Sequence, residues 1–345
     1  MTALPFVSVL VPVRNEERYI ERCLYSLAAQ DYPRDRFEVL VIDGESTDAT
    51  AEIVARFAAE STLELRHLSN PRRLPAAALN LGLDAARGEV VIRLDGHAAA
   101  AHDFISRSVE ALETSGADCA GGPITSEGDT FVGRAIALAM ASRFGVGGAA
   151  FRTGGAGAVD TVAFGAYRQQ VFERIGRFSE DIPHGEDDEF NYRLRDAGGT
   201  IVLVPAIHTR YTVRGDLISL WRQYYGYGRA KPEVLRRHPA QARPRQLAPA
   251  ALVLALGAGV GRATSGRSGG LRAVCGLYGL GVAGASIAIA ARKDPRHAVV
   301  LPAVFACLHL SYGAGFLAGV AELAERARGA ASRPSGAHSG TEAST

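Results

Sequence analysis

Phe37-Glu38-Val39-Leu40-Val41-Ile42-Asp43-Gly44-Glu45-Ser46-Thr47-Asp48 passes from an apolar, β-branched run into a carboxylate, a glycine and a group of helix-starting residues. Residues Phe37 to Asp43 suit a strand buried on both faces. The following Gly44 permits a turn, and Ser46 to Glu60 reads as a helix capped by Thr47 or Asp48. The same unit recurs on both sides. Upstream, Val7 to Val13 is a short β-branched strand, and Glu16 to Gln30 carries Tyr19, Ile20, Cys23, Leu24 and Leu27 at helical spacing. Downstream, a strand over Leu63 to Leu68 leads into a loop with Pro71 and Pro75. A helix over Ala76 to Ala86 follows, closed by Gly88 as a C-cap, and then a fourth strand, Glu89 to Asp95. Alternation of this kind implies a mostly parallel, doubly wound α/β sheet. Ligands of such sheets bind beyond the carboxyl ends of the strands, where Asp43 and Asp95 both fall.

Residues 120–240 are less regular and glycine-rich around Gly145 to Gly157, as an acceptor-binding half would be. We therefore expect one catalytic domain over 1–240, divided into a donor half (1–118) and an acceptor half (119–240). Near residue 246 the composition turns apolar. Segments at about 247–261, 271–291 and 298–320 are candidate transmembrane helices, the first of them short, since a bilayer core takes roughly 20 apolar residues. Arg243 and Arg245 precede the first segment, and Arg292, Lys293 and Arg296 separate the last two. Both clusters face the cytoplasm if all three segments span. A disordered tail is expected over 321–345.

Lys and Arg (38) nearly cancel Asp and Glu (36), which argues against a nucleic-acid partner. Four scattered cysteines without a CxxC pair argue against a zinc site or a disulfide framework. The N-terminal apolar run breaks at Pro12 and has no basic start, so it does not read as a signal peptide. The expected location is the inner membrane, multi-pass, with the catalytic domain in the cytoplasm.

Three clusters carry chemistry. Leu94-Asp95-Gly96-His97 ends a strand with two ligands on one side of a turn, a grip for Mg²⁺ or Mn²⁺ bridging a diphosphate; the alternative is a turn-capping acid beside a surface histidine. Asp43 can accept hydrogen bonds from a nucleotide or cap the next helix. His184-Gly185-Glu186-Asp187-Asp188-Glu189 holds four consecutive acids. Their mutual repulsion raises at least one pKa, as a general base requires, and they also suit an N-terminal helix turn. His208, after Pro205, is either a third metal or phosphate ligand or a ring packed at a strand end. Gly154-Gly155-Ala156-Gly157 lacks the Lys-Ser/Thr of a phosphate loop.

These pieces, with Val9 to Glu16, Ala78-Leu79-Asn80-Leu81-Gly82 and Arg222-Gln223-Tyr224-Tyr225-Gly226-Tyr227-Gly228-Arg229, run in one order over residues 7–229. In that order they resemble the family 2 glycosyltransferases, inverting enzymes of GT-A fold that include the cellulose, chitin and hyaluronan synthases. Within that group the chain most resembles the succinoglycan-type glucosyltransferases of bacterial exopolysaccharide synthesis. The resemblance implies a Rossmann-like catalytic domain that takes a hexose, glucose by family weight, from a UDP-sugar. Pro12, Val13, Glu16, Asp43, Arg72, Arg73 and Asp95 would bind the nucleotide sugar. Asp95 and His97 would hold a divalent cation, His97 departing from the commoner second aspartate. Asp187 would be the base. Glu186, Gln223, Tyr224 and Arg229 would meet the acceptor, a lipid-linked saccharide, although the Arg222 to Arg229 segment lacks the Arg-Trp ending of the synthases' Gln-x-x-Arg-Trp motif and suits an amphipathic helix at the membrane interface equally well. Rival readings are a polyprenyl-phosphate glycosyltransferase and, from another class, a non-catalytic nucleotide-binding membrane scaffold.

Overall fold

A computed structural model describes residues 4–331. The first unit is β1 (Val7–Val13), α1 (Ile20–Ala28), β2 (Phe37–Asp43), α2 (Thr50–Glu60), β3 (Leu65–Ser69), α3 (Pro75–Ala85) and β4 (Val90–Arg93). The next is β5 (Ala98–Ala100), α4 (Phe104–Ser115), β6 (Cys119–Gly121), β7 (Ile124–Glu127), α5 (Phe131–Met140), α6 (Arg143–Val146), α7 (Ala150–Thr153) and β8 (Gly157–Ala158). Then come β9 (Ala166–Arg168), α8 (Gln169–Ile175), α9 (Glu186–Asp196), β10 (Ile201–Leu203), β11 (Thr209–Thr212) and α10 (Leu217–Arg237). Three long helices follow: α11 (Pro244–Ala263), α12 (Gly269–Arg292) and α13 (Leu301–Ala331).

The main sheet has the order β3-β2-β1-β4-β9-β6-β10-β8. Its first four strands are parallel, with Val7 beside Phe37 and Val90; β9 runs antiparallel between β4 and β6. Central strand residues such as Val9, Val11, Val39 and Val41 are fully buried, which is why these strands show no polar alternation. Both expected halves contribute strands to this one sheet. A second sheet, β5-β11-β7, sits beside the loop that carries Asp95.

Some expectations shift. Helix α2 begins at Thr50 rather than Ser46, because Ser46 and Thr47 are held as a loop by side chains described below. Helix α1 begins only at Ile20. Gly88 does not cap α3, which ends at Ala85 with Ala86 in extended conformation. A Cβ at Gly88 would lie 2.5 Å from the Ser8 backbone nitrogen, so close packing on β1 selects glycine there.

Helices α11, α12 and α13 are each long and apolar enough to cross a membrane. Helix α13 lies along α10, in the same direction. A Cβ at Gly315 would come 2.2 Å from the Tyr225 carbonyl oxygen, and one at Gly319 equally close to that of Arg229. The expected tail is partly helical, since α13 runs through Ala331; positions 332–345 lie outside the described residues.

Candidate active site

The carboxyl ends of β1, β2 and β4 open into a cleft of about 980 Å³, at the upper end of ordinary ligand pockets. Its floor is Pro12, Val13, Gly44 and Asp95; its far end is built from the apolar helices, with Pro249 and Leu252 of α11 and Leu308 and Tyr312 of α13.

The loops after β1 and β2 are tied together. Asp43 Oδ1 accepts from the Ser46 amide (3.0 Å) and hydroxyl (2.6 Å), while Asn15 Oδ1 accepts from the Thr47 amide at 2.8 Å. Asn15 and Glu45 both take positive φ there, at 56° and 54°. Asp43 thus braces the loop and is buried, and its neighbour Gly44 is what faces the cleft. Of the two arginines expected at the diphosphate, Arg73 lines the cleft, with Nε 2.7 Å from Glu45 Oε2. Arg72 does not line it and pairs with Glu180.

Asp95 lies two residues past β4. Arg93, pointing to the same side of the strand, donates from Nε to Asp95 Oδ1 at 3.2 Å. His97 Nδ1 is 2.8 Å from Glu16 Oε1. Glu16, expected to touch the nucleotide, therefore also orients His97 and leaves its Nε2 as the free ring nitrogen. Burial disfavours charge on His97, yet Tyr211, Glu16 and Asp95 raise its pKa to about 10. The negative potential that holds a proton there suits a cation equally, with proton release on binding. Asp95 and His97 fit a divalent ion as two donors. Among the described residues no three His, Cys, Asp or Glu side chains are arranged to hold a metal ion, so the remaining ligands would come from the substrate and water. His208 is exposed ahead of β11 and does not line the cleft, so the third-ligand expectation is not met.

The acids of α9 start from Gly185, which holds φ +80°. Each acid has a different fate. Glu186 pairs with Arg93 Nη2 at 3.0 Å, and Asp188 accepts from Lys231 Nζ at 2.5 Å and from Thr161 at 3.2 Å. Lys231 holds the Asp188 pKa below its ordinary value despite burial. Asp187 Oδ1 accepts from the Asp188 amide at 2.9 Å, and its nearest cation is Arg93 Nη1, at 3.7 Å. Burial, with Glu186 and Asp188 alongside, pushes Asp187 up to about 7, against Arg93 and the Asp188 amide, which favour the charged form. Three neighbouring carboxylates thus resolve into two locked ion pairs and one carboxyl placed to exchange a proton near neutral pH.

On α10, Gln223 Nε2 donates to the hydroxyls of Tyr227 (3.1 Å) and Tyr211 (3.3 Å), and Tyr224 is buried at the cleft wall. Arg229 is outside the cleft. It pairs with Glu322 of α13 at 2.6 Å, so its place is structural rather than at the acceptor.

Sequence reasoning missed Arg93. The available signal was a lone cation inside a buried strand, a position held only by charges that find partners. It also missed Lys231, Tyr211 and Arg152, which have no spacing pattern to reveal them.

A profile described as "Glycosyl transferase family 2" matches residues 8–176. The succinoglycan biosynthesis protein ExoA of Rhizobium meliloti is 33% identical over 72% of this chain and 76% of its own length. A dolichyl N-acetyl-alpha-D-glucosaminyl phosphate 3-beta-D-2,3-diacetamido-2,3-dideoxy-beta-D-glucuronosyltransferase of Methanococcus voltae is 30% identical over 67% of this chain and 74% of its own. Among solved structures, the mannosyltransferase PcManGT of Pyrobaculum calidifontis, in complex with GDP-Man and Mn²⁺, superposes with a TM-score of 0.62. It is 25% identical, and the superposition covers 90% of this chain and 88% of that one. With its parallel sheet, its acid-bearing cleft and relatives that share most of its length, the chain belongs to glycosyltransferase family 2.

Proposed function

We propose that the protein is an inverting hexosyltransferase that moves a sugar, glucose by its resemblance to the succinoglycan-type enzymes, from a UDP-sugar to a lipid-linked saccharide in the assembly of a bacterial exopolysaccharide or envelope glycan. The carrying observation is Arg93, whose guanidinium meets Asp95 on one side and Asp187 and Glu186 on the other. Donor-side and base-side carboxylates are thereby tied within one cleft. Asp187 takes the proton from the acceptor hydroxyl, that oxygen attacks the anomeric carbon, and the bond to the nucleoside diphosphate breaks on the opposite face. One base without a carboxylate nucleophile gives a single displacement, hence inversion. Asp95 and His97 would hold a divalent cation, which when bound neutralises charge on the departing diphosphate. The remaining nucleotide contacts come from Pro12, Val13, Glu16 and Arg73. Glu186, Gln223 and Tyr224 border the acceptor. The apolar far end of the cleft supports a lipid-bearing acceptor, as does the dolichyl phosphate named in the Methanococcus relative. Helices α11, α12 and α13 support a multi-pass protein of the inner membrane with its catalytic domain in the cytoplasm.

Membranes containing the protein, supplied with a lipid extract and a panel of UDP-, GDP- and dTDP-sugars, test this. Metal-dependent transfer from one donor is expected, abolished by EDTA and by Asp95→Ala. Asp187→Asn should lower transfer about 10²–10⁴-fold while UDP still binds. Full turnover by Asp187→Asn on polyprenyl phosphate, which is already ionised, would favour the polyprenyl-phosphate reaction instead. UDP binding without transfer from any donor would favour a scaffold.

A further inference from the structure

The cleft is lined by seven cationic side chains, and their partners differ. Arg93 is surrounded by carboxylates, Arg73 pairs with Glu45, Lys231 with Asp188, and Arg245 with Asp160 at 2.7 Å. Arg14 and Arg214 are exposed to solvent. Arg152 is the exception. No carboxylate pairs with it among the described residues, and its Nη1 is buried without a hydrogen-bond acceptor. Its guanidinium carbon lies 5.4 Å from the ring centres of both Phe151 and Tyr211, and Tyr211 in turn packs its ring 4.9 Å from that of His97. It is carried on the short α7, between Gly148 and Gly154, both at positive φ. Arg152 therefore stands one aromatic ring away from the Asp95–His97 pair, on the wall that continues toward the apolar helices.

A half-buried guanidinium stacked on aromatics, with one buried donor unused, matches a phosphoryl oxygen better than it matches a neutral sugar. Surrounding tyrosines supply no compensating charge. Resting on the donor and acceptor classes proposed above, we infer that Arg152 binds a substrate diphosphate. That group is either the one joining the acceptor glycan to its lipid or the one leaving with the donor nucleotide.

Three variants decide it: Arg152→Met, which keeps the apolar stem over Phe151 and Tyr211, Arg152→Lys, which keeps the charge, and wild type, each with its melting temperature measured. KM is determined for donor and for lipid-linked acceptor, transfer to a phosphate-free alkyl glycoside is followed in parallel, and UDP affinity is measured by titration. The expected result for Arg152→Met is a KM at least tenfold higher for one diphosphate substrate, partly restored in Arg152→Lys. Unchanged UDP affinity and unchanged transfer to the alkyl glycoside would assign the lipid-linked diphosphate. Weakened UDP affinity in the same ratio would assign the donor. Both KM values and UDP affinity within twofold of wild type would overturn the inference, as would a uniform fall in kcat alone. Should wild type use no lipid-linked acceptor, the acceptor reading fails by itself. The UDP titration still decides Arg152, and unchanged affinity would then overturn it.

Discussion

At the scale of single residues, reactivity in this cleft is set by which acid is left without a close cation. Asp188 and Glu186 are neutralised by Lys231 and Arg93, and Asp187 inherits the repulsion of both. An acid raised to about 7 is protonated, and useless as a base, over the pH range below it. The activity profile should therefore show an acid limb, kcat/KM falling about tenfold per pH unit below 7. Arg93 is the strongest of the groups opposing the rise, so its removal must move the limb in a known direction. In Arg93→Met the midpoint should shift to higher pH, read from kcat/KM between pH 5 and 9. A limb that stays put, or moves down, would show that Arg93 does not act on Asp187. Arg93 also shows what the sequence alone could not convey. Its partners are two residues and some 93 positions away, just past β4 and on α9, and nothing local in Val-Val-Ile-Arg records the second contact.

At the scale of elements, legibility follows how local the determining forces are. Strands β1 and β2 occupy Val7–Val13 and Phe37–Asp43 as read, because continuous burial makes continuous apolar runs. Helix starts were read less well. Ser46 and Thr47 look like capping residues, but their amides donate to Asp43 and Asn15, while Asp48 accepts from the Thr50 amide at 3.0 Å, so the helix is delayed to Thr50. The segment Arg222 to Arg229 suits an acceptor contact and an interfacial helix equally, and a helix turns its residues to different sides. Gln223 and Tyr224 face the cleft; Arg229 faces α13 and pairs with Glu322. Arg229 is more than half exposed, and an exposed ion pair contributes about 0–1 kcal/mol. Arg229→Ala should consequently leave acceptor KM within about twofold and shift melting by only a few degrees. A tenfold rise in acceptor KM would return this arginine to the acceptor site.

At the scale of the molecule, α13 and α12 do different work although both are apolar enough to span a membrane. Helix α13 is half buried against α10 through Gly315 and Gly319, and its side chains Tyr312 and Leu308 complete the cleft wall. Helix α12 is mostly uncovered, with Leu277 and Leu280 about three-quarters exposed and Ile287 nearly so. That contrast makes the membrane reading testable by a substitution that touches no protein atom of consequence. In water, replacing an exposed Leu280 by lysine changes stability by roughly 0.5 kcal/mol or less. At the centre of a bilayer-spanning helix the same change costs about 3 kcal/mol. Leu280→Lys should therefore cut the fraction of protein retained in membranes after alkaline carbonate extraction severalfold. The isolated catalytic cleft contains no contact to Leu280, so UDP binding by the purified, detergent-solubilised variant should match wild type. Unaltered membrane retention would mean that α12 faces water or another protein, and the multi-pass arrangement would have to be given up.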